Sequence, residues 1–136
     1  MLAYRYASAV LGLALAIALQ GCAASPETIQ LRIENGGPEA IRCTAILAHF
    51  VTRSLPIIEQ GAAQSVPLAR DRQNGTLSFG SHGAEPMMLE NILCGRDSDW
   101  TASARDLPLQ DLRVEPAERF EYRCSLDSER VICTPP

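Results

Sequence analysis

The stretch FEYRCSLDSERVICT, residues 120–134, constrains the fold more than any other. It reads as two short strands joined by a polar turn over Asp127 to Arg130. With Ser128 and Glu129 at the centre of the turn, Leu126 faces Val131 and Cys124 faces Cys133. Opposed residues of an antiparallel pair have Cα atoms about 4.5–5.5 Å apart, within disulfide reach. Of the four cysteines beyond the first two dozen residues, that leaves Cys43 to pair with Cys94. A fold that brings Cys94 beside the C-terminal strands makes the crossed pairings available as well. By chain entropy the short loop contributes about 2.7 kcal/mol and the loop of about fifty residues about 4 kcal/mol. A small domain has roughly 5–15 kcal/mol of net stability, so two bridges decide whether it stays folded.

The rest of the chain carries strand patterns between turn signals. TIQLRIEN, residues 28–35, alternates Ile29, Leu31 and Ile33 with polar neighbours, the mark of a half-buried strand. Asn35-Gly36-Gly37-Pro38 is a turn. Residues 38–51 are compatible with a strand or a helix. The strand is preferred because it puts Ile41, Cys43, Ala45 and Leu47 on one face. Pro56, Gly61 and Pro67 punctuate a bend, a loop and a short edge strand. RDRQNG is a polar turn, TLSFGS a strand, MMLENILCG a strand or short apolar segment, and LPLQDLRV a strand. The expectation is one all-β domain over residues 28–136, a small antiparallel β-sandwich or barrel of about seven to eight short strands with two disulfides.

The N-terminus is a different kind of segment. Ala7 to Leu19 is apolar apart from Ser8 and Gly12, thirteen residues or roughly 20 Å of helix. A bilayer core needs about twenty, so the length suits the apolar region of a signal peptide. Leu19-Gln20-Gly21-Cys22 resembles the lipobox of bacterial lipoproteins: an aliphatic residue, a small residue, then the cysteine. Gln20 departs from the usual small or aliphatic residue. The resemblance covers only the first two dozen residues. It implies a diacylglyceryl thioether on Cys22, cleavage of residues 1–21, and residues 22–27 as a lipidated tether. Ala23, where enteric-type sorting would use aspartate for inner-membrane retention, implies the outer membrane, with the domain facing the periplasm. Two other readings stay open: cleavage that releases a soluble periplasmic protein, and an uncleaved short anchor.

Composition narrows the function classes. With 46% hydrophobic residues, 21% charged residues and a net charge of -4, the chain is globular and carries no run of like charge for nucleic acid. All twelve basic residues are arginine. No C-x-x-C, G-x-S-x-G or H-E-x-x-H motif occurs, so neither a metal nor a cofactor is expected. His49, in an apolar stretch, reads as a core or rim residue, and His82 as a solvated loop residue. Asp97 and Asp99 read as a turn rather than a catalytic pair. Met87, Met88 and Trp100 read as core rather than a binding patch, and Asn74-Gly75 as a tight turn. The ligand stays unknown at this stage. The chain is expected to be a non-enzymatic binding or assembly module, with membrane lipid through Cys22 and an envelope protein as partners. Two alternatives remain. One is a periplasmic inhibitor of a hydrolase such as lysozyme, which the chain resembles in general layout only. The other is a small envelope hydrolase using His49 or His82.

Overall fold

The computed structural model describes residues 21, 24–80 and 85–136. Residues 1–20, Cys22 and His82 lie outside the described residues. Nine strands build the domain: β1 (Glu27–Asn35), β2 (Ile41–Leu47), β3 (Val51–Ser54), β4 (Ala63–Arg70), β5 (Leu77–Phe79), β6 (Met87–Arg96), β7 (Arg105–Asp106), β8 (Arg119–Asp127) and β9 (Arg130–Thr134). Two short helices, α1 (Trp100–Ser103) and α2 (Gln110–Val114), lie between β6 and β8. The strands join in one sheet, ordered β3-β2-β6-β5-β4-β1-β8-β9, with β7 on the flank of β6. The sheet curls so that β6 and β7 pack against β9. Among the described residues no helix is long and apolar enough to cross a membrane.

The alternation in β1 sets the layering. Ile29, Leu31 and Ile33 are buried while the residues between them face outward. β4 pairs with β1 antiparallel, and β8 pairs with it parallel. The architecture is thus all-β with nine strands and one parallel pair, a feature that no local pattern announces because the chain between β1 and β8 spans most of the domain. Within residues 38–51 the preferred strand is present as β2, with Ile41, Cys43, Ala45 and Leu47 buried on one face. β2 ends at Leu47, the chain turns at Ala48–Phe50, and β3 returns beside it. In β6 the register against β2 shifts between Ile46 and Leu47. That bulge lets Leu89 and Ile92, three residues apart, both point inward.

LPLQDLRV corrects the strand expectation. Residues 110–114 make a turn of helix, and one carbonyl within it and two just after it are held from across the fold. Arg70, almost fully buried, donates Nη1 to the carbonyls of Leu112 (2.8 Å) and Glu115 and Nη2 to that of Ala117 (2.9 Å). Its guanidinium also pairs with Glu27 and lies 5.9 Å from the Phe120 ring centroid. Leu107, Leu109 and Leu112 of the same segment are buried in the core. A buried cation bonded to three carbonyls and a carboxylate fixes the loop more firmly than its own strand propensity could.

The disulfides join Cys43 to Cys94 and Cys124 to Cys133, with Cα–Cα distances of 4.1 and 3.9 Å. Both bridge directly opposed residues. The Cys43 carbonyl accepts from Leu55, and that of Cys124 accepts from Gly36, so each cysteine turns its backbone away from its disulfide partner. These are non-hydrogen-bonded pairs, where side chains come closest. The sulfurs of Cys94, Cys124 and Cys133 all lie within 4.8 Å of one another. The two bridges therefore stack in the core where β6 meets β9.

Candidate functional site

Two strand edges lack a partner among the described residues. β5 covers only Ala69 and Arg70 of β4, so Ala63 to Leu68 have a ladder partner in β1 alone among the described residues. β3 is the other free edge, and all four of its residues are exposed. Between these edges runs a groove of about 810 Å³, within the roughly 300–1,000 Å³ range of ligand sites. Its apolar walls include Leu55, Pro56, Val66, Leu68, Phe79 and Pro86. Ser54, Ser65 and Ser78 add hydroxyls, and Arg53 is the one charged side chain among the described lining residues. Arg53 makes no salt bridge among the described residues.

Backbone directions at the groove follow from two hydrogen bonds. Leu55 N–H donates to the Cys43 carbonyl at 2.9 Å. Alternate residues turn to alternate sides, so Arg53 also faces β2, while Ser54 and Thr52 turn their backbone groups outward. Gln30 N–H donates to the Glu118 carbonyl at 2.8 Å, away from β4. Pro67, opposite Gln30, therefore turns away from β1, and so does Ser65. Proline is tolerated in a sheet where its missing N–H faces an open edge, and this strand supplies that place.

The other candidate residues do not converge. His49 and Phe50 form the exposed tip of the β2/β3 hairpin, both with φ of 61°. Asp97 approaches Arg42 at 3.8 Å and Asp99 approaches Arg96 at 3.6 Å, so the two carboxylates serve different cations. Arg42 lies 5.7 Å from the Trp100 ring centroid on the outer face of β2. Met87 packs against the core, but Met88, expected there too, is exposed at the far end of β6, roughly 26 Å along the strand from Arg96. Trp100 and the methionines thus form no common patch. Gly75 takes φ of 73° in its turn, and a Cβ there would meet the Arg113 carbonyl.

The groove residues were missed because they come from β3, β4 and β5, which are adjacent only after folding. The single local trace was Pro67 inside a strand pattern. Compared with family models, with curated proteins and with solved structures, the chain matches none of them.

Proposed function

We propose that this chain is a lipid-anchored module of the bacterial envelope, held through acylated Cys22 at the periplasmic face of the outer membrane, and that its β domain binds another envelope protein without catalysing a reaction. The lipobox-like LQGC and the two buried disulfides, suited to an oxidising compartment, support the address. The groove between β3 and β4 carries the binding role, because it is an apolar, concave surface that the described residues leave unfilled.

Two measurements test this reading in cells. Cys22→Ser should abolish processing and membrane fractionation. A photo-crosslinking residue at Ser65 in the groove should capture one reproducible partner, and the same residue at Glu121, exposed on β8, should not. Unchanged fractionation would remove the address, and no Ser65-specific adduct would remove the binding role. The exposed Phe50 tip favours one second reading, in which the hairpin enters the cleft of a lysozyme. Inhibition of lysozyme by the protein, lost in Phe50→Ala, would support that alternative.

A further inference from the structure

We propose that the groove accepts an extended polypeptide segment by strand addition, pairing with the outward backbone of Ser54 on β3 and of Ser65 on β4. This rests on the binding role just described and specifies its chemistry.

The argument starts from unpaired backbone. Ser54 offers an N–H and a carbonyl to the groove and Pro67 a carbonyl only, while Ser65 offers its N–H and a carbonyl that accepts from the Gln64 side-chain amide at 3.1 Å, a bond the incoming strand displaces. These groups are solvated while the groove is open. A purely apolar occupant such as an acyl chain would bury them without partners, at a cost of roughly 1–3 kcal/mol each. A strand replaces the lost water with ladder bonds while its alternate side chains reach Pro56, Phe79 and Pro86, apolar lining residues with open surface. The chemistry of the rim thus selects a peptide over a lipid.

Length and charge narrow the occupant. Beyond Ser65, Pro67 has no N–H to give, so pairing along β4 is confined to its first half. Beyond Leu55, Pro56 ends the donor row of β3. The segment that pairs is therefore short, about four to six residues at roughly 3.3 Å each. Arg53 stands at the rim without an acidic residue among the described lining residues. A segment carrying a carboxylate neutralises it. A second copy of this chain would instead bring another Arg53 to the same place, and like charges across a strand pair destabilise it. The occupant is thus a short extended segment with small or apolar alternate side chains and one acidic residue.

The test uses the full-length protein in detergent micelles. The probes are fluorescein-tagged heptapeptides of alternating valine and threonine, with one aspartate placed at each position in turn. At least one should bind with a Kd below about 1 mM. Methylating every second backbone nitrogen of that peptide should weaken binding about tenfold or more, because each ladder bond contributes about 0.5–1.5 kcal/mol. Ser54→Pro should weaken it similarly while leaving the thermal midpoint nearly unchanged, since that N–H faces away from β2. Arg53→Glu should weaken the aspartate peptide and favour its lysine counterpart.

Four results overturn the proposal: no peptide binds; N-methylation and Ser54→Pro have no effect; a fluorescent palmitate analogue fills the groove and resists displacement by the peptide; or the protein self-associates through β3. The outcomes separate it from the broader reading. If a Ser65 adduct in cells survives Ser54→Pro, the chain is a binding module that does not use strand addition. If no Ser65 adduct forms at all, the binding role itself falls.

Discussion

Single residues hold this fold where pattern alone would not. Arg70 sits 4% exposed at the end of β4, bonded to three carbonyls of the α2 loop and paired with Glu27. Removing it leaves those acceptors and a half-buried carboxylate without their donor. Arg70→Ala should therefore cost about 3–5 kcal/mol, measured by urea unfolding with the disulfides intact. A loss under about 1 kcal/mol would mean that water replaces the guanidinium freely. Tyr122 makes a pH-dependent contribution. Burial, then the nearby Asp111 and Glu115 carboxylates, raise its phenol above its usual value. The folded protein keeps this proton at a pH where the unfolded chain releases it, so stability is intact below the usual phenol value and falls as pH rises from roughly 10 through the raised folded value. Tyr122→Phe should flatten that fall between pH 9 and 11. Parallel stability curves for the two proteins would exclude Tyr122 as its source. Arg70 was visible in the sequence only as part of a polar turn, because nothing local says that a cation will be buried against a loop forty residues away.

At the scale of elements, alternation was legible where a strand is regular and illegible where it is not. β1 shows inward residues at every second position, and the β8/β9 hairpin has the register that its turn specifies, with Cys124 opposite Cys133. β6 hides its period because the bulge near Leu89 breaks it. The β2/β3 hairpin hides its turn for another reason. Its two central residues, His49 and Phe50, both take left-handed backbone, φ 61°, yet neither is the glycine or asparagine that favours such a turn. Phe50 is 92% exposed there, so no packing offsets the strain. Replacing the pair with Asn-Gly should stabilise the domain by about 1–2 kcal/mol, seen as a rise in thermal midpoint. If the midpoint drops instead, His49 or Phe50 makes contacts that outweigh the strain. The exchange also asks whether the tip has a role: a stabilised protein that loses partner capture in cells would show that strain was kept for binding.

For the whole molecule the two flanks of the curled sheet differ in kind. One is closed by stacked disulfides where β6 meets β9; the other is open between β3 and β4. The closed flank was legible because cysteines are few and one pair sits across a tight turn. The stacking of the bridges was not, since the approach of Cys94 to the C-terminal hairpin depends on how the whole sheet curls. The open flank was illegible for the same reason: it exists because β5 stops at Phe79 and, among the described residues, leaves one edge of Ala63–Leu68 of β4 without a partner. This asymmetry has a kinetic consequence. Cys43, Cys94 and Cys124 are fully buried and Cys133 nearly so, so a thiol reductant reaches them only when the domain opens. Opening one bridge removes about 2.7–4 kcal/mol of a roughly 5–15 kcal/mol total, and the second bridge then becomes accessible far more often. In dithiothreitol under native conditions, mass spectrometry after thiol alkylation should find chains with no free thiols or four among these cysteines, and few with two. The overall rate should rise in mild urea along with global unfolding. Accumulation of a chain with one bridge open and native near-ultraviolet dichroism would show instead that one disulfide is reached by a local motion, and that the flank formed by β6 and β9 is not closed in solution.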